Sequence, residues 1–239
     1  MKIRSEVIPF LVIAFLFSVI PVIVLRLLQI PFFLSMGTGL FCLAITGGYL
    51  LYFFRDPHRE CTADDTTAIA PADGVIAAIT QFSSEEFTRI ASSCALEGTD
   101  LDLFTRKGTI VRISTFLSLF NVHVNRAPIS GTSRFLGYFK GKHLFTFEEK
   151  SSDVNQHNSI LMTNPKTCCL INQIVGPVCR RVVYWPDHSR DVDLAVGERF
   201  GMMKFGSRLD LYFPADDISI TIKQGDTVRA GITVLAAIN

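Results

Sequence analysis

Two uncharged apolar runs fill most of the N-terminal quarter of this chain: "VIPFLVIAFLFSVIPVIVL", Val7 to Leu25, and "IPFFLSMGTGLFCLAITGGYLLYFF", Ile30 to Phe54. Only "RLLQ", Arg26 to Gln29, lies between them. A helix needs ~20 apolar residues to cross ~30 Å of hydrocarbon, and each run meets that length. So short a connection permits a tight reversal but no folded segment. The spacing therefore predicts a helical membrane hairpin over residues 1–54, followed by a soluble domain over residues 55–239. Lys2 and Arg4 precede the first run, and Arg55 and Arg59 follow the second. The positive-inside bias then puts both ends, and the soluble domain, on the cytoplasmic side of the cell (inner) membrane. A cleaved signal peptide fits less well, because no small-x-small site follows the first run and a second run begins at once. A re-entrant hairpin stays open as an alternative, since Pro9, Pro21 and Pro31 with Gly37, Gly39, Gly47 and Gly48 weaken helix continuity. Either form keeps the soluble part beside lipid.

The remainder has an ordinary mixed composition, and at 239 residues the chain is long enough to bury a sizeable core. A net charge of +1 with no long Lys/Arg run argues against a nucleic-acid partner. The six cysteines, Cys42, Cys61, Cys94, Cys168, Cys169 and Cys179, show neither C-x-x-C pairs nor zinc-ligand spacing, so no metal is expected and idle thiols in a reducing compartment are. Cys168 and Cys169 would point to opposite faces of a strand.

After "FRDPHRE", Phe54 to Glu60, short segments rich in β-branched and aromatic residues alternate with Gly, Pro, Asn and Asp, which predicts a mostly β (α+β) domain. Ser83 to Glu97 and Thr146 to Asn158 read as helical or irregular. The tail carries a G-D-x-V-x-x-G spacing from Gly225 to Gly231, echoed approximately upstream in Ser189 to Met203, and this punctuation resembles the barrel-sandwich fold of biotinyl and lipoyl carrier domains.

Within "GERFGMMKFGSRLDLYFP", the pair Gly206-Ser207 stands between two apolar segments. Gly206 lacks a Cβ, so attack of the Ser207 hydroxyl on the Gly206 carbonyl is sterically open and would give an N-to-O acyl shift. The ester can then lose the Ser207 α-proton and eliminate the upstream carboxylate. The dehydroalanine left behind hydrolyses to a pyruvoyl group and ammonia. A lone Gly-Ser pair is more often a turn. Two other segments change the weighing: "APADGVI" sets Asp73 on a Pro/Gly-bounded turn, and "FLSLFNVHVNRAPISG" sets His123 in a β-pattern segment. A Ser, a His and an Asp are ingredients for activating a hydroxyl.

"FRDPHRE", "APADGVI", "FLSLFNVHVNRAPISGT", "QIVGPVCRRVVYW" and "GERFGMMKFGSRLDLYFP", in that order over nearly all the chain after Phe54, resemble the short, bacterial-type phosphatidylserine decarboxylases. The resemblance implies self-cleavage at Gly206-Ser207 into a large β chain (1–206) and a small α chain (207–239), a pyruvoyl group made from Ser207, and decarboxylation of phosphatidylserine in the membrane to phosphatidylethanolamine. It also implies a homodimer. By the same resemblance Ser207 is the pyruvoyl serine, Asp73 the aspartate linked to self-cleavage, and His123 the histidine linked to decarboxylation. Longer members carry a second histidine three positions on, where this chain has Arg126, a poor base. His123 is therefore expected to serve both steps, with Asp73 orienting it and Arg126 holding a carboxylate or phosphate. A pyruvoyl carbonyl would condense with the substrate amine and act as electron sink, and His123 would return the proton.

A lipid substrate predicts an apolar rim at the mouth of the site, for which Phe82, Phe87, Phe104 and Phe145 are candidates, although core packing is the commoner fate of such residues. His58, His143, His157 and His188 read as surface groups, and "RKG" (106–108) and "KGK" (140–142) as solvated turns or anionic-lipid contacts. The rival function is a membrane-tethered carrier or adaptor module without catalysis, modified on Lys204 of "MMK". No Met follows Lys204, and the turn would have to coincide with "FGS".

Overall fold

The structure, a computed structural model, describes residues 2–106, 108–177 and 182–239. Lys107 of the "RKG" turn, and Cys179 with the two arginines that follow it in "QIVGPVCRRVVYW", lie outside the described residues. The chain divides into two compact units, Met1–His58 and Arg59–Asn239.

In the first unit, strand β1 (Lys2–Ile3) precedes helices α1 (Ile8–Leu27) and α2 (Phe32–Phe53), and strand β2 (Arg55–Asp56) follows them. Both helices are long and apolar enough to cross a membrane. Pro9 falls in the first turn of α1, where a missing N–H costs nothing, and α1 continues through Pro21. The reversal between the helices uses Gln29 at φ 59°, and Arg26 Nη1 donates to the Ile30 carbonyl at 2.8 Å. Ala14 and Ser18 of α1, and Ser35, Gly39 and Gly47 of α2, are buried, and such small residues let two backbones approach closely. Large side chains such as Phe17, Phe33 and Phe41 point outward. β1 pairs antiparallel with β2, which fastens the two ends of the hairpin together and gathers Lys2 and Arg55 at one end.

The second unit is mostly sheet. β3 (Thr67–Ile69) and β4 (Gly74–Ser83) flank the Asp73 turn and lead into helices α3 (Ser84–Ser92) and α4 (Gly98–Thr105). Then come β5 (Thr109–Leu117), β6 (Val124–Arg126) and β7 (Gly131–Phe139), the short helix α5 (Ser151–Val154), β8 (His157–Thr163) and β9 (Cys168–Val175). The last third holds β10 (Val183–Tyr184), β11 (Val192–Leu194), β12 (Arg199–Met202), β13 (Ser207–Pro214), β14 (Ile218–Ile220), β15 (Thr227–Val228) and β16 (Val234–Ile238). An eight-stranded sheet runs β11-β7-β8-β9-β13-β5-β4-β15, beside two three-stranded sheets, β10-β12-β6 and β14-β16-β3. The sheets stay open, so there is no closed barrel among the described residues.

β13 is central, paired with β5 over residues 207–214 and with β9 over residues 207–212. Its alternation feeds two cores. Leu209, Leu211 and Phe213 pack with residues of both small sheets, including Ala68, Phe200 and Leu235. Tyr212, on the opposite face, packs under the helical layer with Phe87 and Phe104. The Phe87 ring stands 5.1 Å from Phe104 and 5.6 Å from Tyr212, and burying such a ring contributes about 1.5–3 kcal/mol. α3 begins at a capping box: the Glu86 amide donates to Ser83 Oγ at 3.3 Å and the Ser83 amide donates to the Glu86 carboxylate at 2.9 Å. That reciprocal cap makes the Ser83 to Glu97 stretch start as helix rather than loop. Cys168 and Cys169 do face opposite cores, and the described cysteines are all free thiols.

Candidate active site

Ser207 opens β13, fully buried between Leu117 of β5 and Val175 of β9. Its hydroxyl donates to the Lys204 carbonyl at 3.3 Å, which closes residues 204–207 into a tight loop. The two preceding residues are both left-handed, Phe205 at φ 51° and Gly206 at φ 69°. Gly206 tolerates this conformation, whereas a side-chain-bearing residue such as Phe205 is strained there by about 1–2 kcal/mol. Strain of that kind concentrates at functional sites. The Gly206 carbonyl is turned towards Gly176, where a Cβ would lie 2.9 Å from its oxygen.

His123 reaches the same region from the loop between β5 and β6. Ser118 and Asn121 close that loop, with the Ser118 amide and hydroxyl donating to Asn121 Oδ1 at 2.8 and 2.7 Å. The Met203 amide then donates to the His123 carbonyl at 3.0 Å, so the His123 segment lies against the one that leads into Ser207. The imidazole is fully buried. Its Nδ1 is 3.0 Å from the Asn121 carbonyl, which can only accept, so Nδ1 carries the proton and the lone pair of the neutral ring is on Nε2.

Asp73 does not orient this ring. Arg59 donates to both of its carboxylate oxygens, at 2.5 and 2.8 Å, and the Ala230 amide donates to Oδ1 at 2.8 Å. Arg59 also donates to the Ala230 carbonyl at 2.7 Å. The turn between β3 and β4 presents Asp73 to the β15–β16 connection, whereas the group at His123 Nδ1 is the Asn121 carbonyl. Arg59, read from the sequence only as a flanking positive charge, is the partner of Asp73. Arg126 is buried beside this turn: its amide donates to the Pro71 carbonyl at 2.9 Å and its Nη1 to the Gly197 carbonyl at 3.0 Å.

Of the aromatic residues expected at a rim, Phe87 and Phe104 are core and Phe82 packs against it, while Phe145 is exposed. Phe145 stacks on exposed Phe147 at 5.3 Å, and buried Thr146 between them packs at Gly176. His157 is buried rather than at the surface, because strand alternation in β8 turns it under the helical layer opposite Ile174. A polar cleft of ≈ 220 Å³ lined by Asp100, Arg106, Arg134 and Lys166 contains none of residues 73, 123, 126 or 207.

A family model described as phosphatidylserine decarboxylase matches residues 47–236. Phosphatidylserine decarboxylase proenzyme of Carboxydothermus hydrogenoformans is 34% identical over 190 residues, covering 80% of this chain and 80% of that protein. No solved structure matches.

Proposed function

The chain belongs to the phosphatidylserine decarboxylase family, and on that premise we propose that it severs itself between Gly206 and Ser207 and decarboxylates phosphatidylserine through a pyruvoyl group formed from Ser207. The observation that carries this is the left-handed Phe205-Gly206 pair directly before a fully buried serine at the head of the central strand.

In the cleavage, Ser207 Oγ forms an ester bond to the Gly206 carbonyl carbon while the Gly206–Ser207 amide bond breaks, and the hydroxyl proton passes to the Ser207 nitrogen. Loss of the Ser207 α-proton then expels the Gly206 carboxylate. Water releases ammonia and leaves a ketone at residue 207. Relief of the Phe205 strain favours the first step. His123 Nε2 is the base within this region whose lone pair is set by the fold. An imidazole can both take a proton at such a lone pair and return it.

The surroundings fit such a group: residue 207 is walled by Leu117 and Val175, and the segment before it is already turned away from the strand. When present, the pyruvoyl group supplies the carbonyl that captures the substrate amine and the electron sink that lets carbon dioxide leave. His123 then delivers a proton to the substrate carbon that has lost its carboxylate. Arg126 supplies fixed positive charge behind the Asp73 turn for a carboxylate or phosphate. The apolar hairpin keeps the soluble unit at the bilayer, on the cytoplasmic face by the positive-inside bias of Lys2, Arg4, Arg55 and Arg59.

Intact mass tests this directly. The parent is expected to give two chains, 1–206 and a 33-residue fragment beginning at 207 whose terminus reacts with hydrazine. Ser207→Ala is expected to remain whole and to form no ethanolamine lipid. A whole, hydrazine-inert parent that still decarboxylates would overturn the proposal.

A further inference from the structure

A buried amide pair links the sheet that carries Ser207 to β6, the strand that follows His123. Gln173, on β9, donates from Nε2 to Asn125 Oδ1 on β6 at 2.6 Å, and both residues are fully buried. Asn125 in turn donates from Nδ2 to the Pro71 carbonyl at 3.4 Å, in the turn that ends at Asp73. One chain of amides thus touches three segments: the strand beside β13, the strand that follows His123, and the Asp73 turn.

The packing around it is adapted to that link. Gly201 lies opposite Asn125 in register, and a Cβ there would sit 2.3 Å from the Val183 carbonyl oxygen and 3.3 Å from Gln173 Nε2. Any side chain at Gly201 would push the Gln173 amide aside. Gln173 also gains little for itself: its Oε1 is buried without a hydrogen-bond partner. An unpaired buried acceptor is costly, and an apolar residue of the same shape would only move that cost from Gln173 Oε1 to Asn125 Oδ1. What an apolar residue would not supply is the fixed distance between β9 and β6.

Resting on the function proposed above, we infer that Gln173 and Asn125 are positioning residues for the chemistry at residue 207. Gln173 faces the same side of the sheet as Ser207, since it pairs with Leu209, two residues along β13. Asn125 is two residues beyond His123. The amide pair therefore helps to fix how far His123 stands from Ser207, together with the Met203–His123 backbone bond, and a displacement of about 1 Å can cost a reaction of this kind ~100-fold.

Two variants of the full-length protein in detergent test this. Gln173→Met keeps the volume and loses the link; it is expected to slow both self-cleavage and kcat by roughly 10- to 100-fold, with KM unchanged and the melting temperature within a few degrees of the parent. Gln173→Glu can donate to Asn125 only while its carboxyl is protonated, so cleavage and turnover should stay near the parent at low pH. Both should fall as pH rises through that carboxyl's pKa, a limb the parent lacks. Parent-like cleavage and kcat in Gln173→Met would overturn the inference. Should Gln173→Met fail to fold, the pH profile of Gln173→Glu decides, and a profile identical to the parent's overturns it. Failure of the underlying function shows separately, as a parent that never forms the fragment 207–239.

Discussion

Arg59 holds Asp73 through two guanidinium nitrogens, at 2.5 and 2.8 Å, while the same carboxylate accepts the Ala230 amide. Side-chain exposure is only 10% for Arg59 and 11% for Asp73, so the pair is largely removed from water. Breaking one member of a buried pair costs about 3–5 kcal/mol, because the other charge is left uncompensated. Asp73→Asn and Arg59→Ala are therefore both expected to slow formation of the 33-residue fragment, with Arg59→Lys intermediate since it keeps the charge but not the two-pronged contact. Time courses of fragment yield by mass spectrometry check this. Wild-type cleavage in Arg59→Ala would show that the clamp does not serve the cleavage.

The fragment 207–239 should not leave after cleavage. It contains β13, paired on both edges, as well as β15 paired with β4 and β16 paired with β3, and Ala230 sits in the Arg59–Asp73 grip. The two chains are expected to co-elute in native size exclusion and to separate only in denaturant. Loss of the fragment from the native peak would contradict the pairing described for β13.

How much of this was legible in the sequence depended on whether the signal was local. The hairpin helices and the Gly206-Ser207 bond are local patterns, and the positive φ at Gly225 and Gly231 falls at glycines already marked as punctuation. Arg59 was visible within "FRDPHRE" but its partner lies 14 residues on, and nothing in either segment encodes the pairing. His157 was misplaced for a related reason: its neighbours Asn155, Gln156 and Asn158 look like a turn, yet β8 is buried on both faces and His157 and Ser159 find partners inside. Gln173 and Asn125 are likewise ordinary residues until two sheets are stacked. Sequence reports periodicity; which face another layer will cover is decided by tertiary contacts.

The buried Cys94–His157 contact predicts a pH-dependent share of stability. Burial alone would lower the His157 pKa, but the Cys94 thiol at 3.7 Å and the Asn155 carbonyl at 2.9 Å raise it above the usual imidazole value. That stabilisation is present in full below ~6.5, the unfolded value, and is lost as pH rises through the folded pKa. Cys94 has the opposite sign. Burial would raise its pKa, yet hydrogen bonds with His157, Ser159 and Asn172 bring it below the usual thiol range, so its contribution is present above ~8.5 and lost as pH falls through the folded value. The two groups shift each other, so the stability difference between parent and Cys94→Ala should vary with pH across this interval. Melting temperatures in steps from pH 6 to 9 measure it, and a difference that does not vary with pH would mean the contact carries no proton.

Phe145 and Phe147 are exposed aromatic residues tied by packing to the Gly206 region. They are 56% and 65% exposed and stacked on each other, while Thr146 between them is buried against Gly176, the residue that faces the Gly206 carbonyl. On the function proposed above, apolar rings kept in water beside residue 207 enter the bilayer when the site engages its lipid. Losing one such ring should weaken engagement by about 1.4 kcal/mol, close to tenfold. Phe145→Ser and Phe147→Ser are expected to raise KM about tenfold for phosphatidylserine presented in vesicles, with kcat and self-cleavage unchanged. With a short-chain phosphatidylserine below its micelle concentration, no bilayer needs to be entered, and the variants should match the parent. An equal loss on both substrates would place the rings in the wall of the site instead of at its membrane-facing mouth.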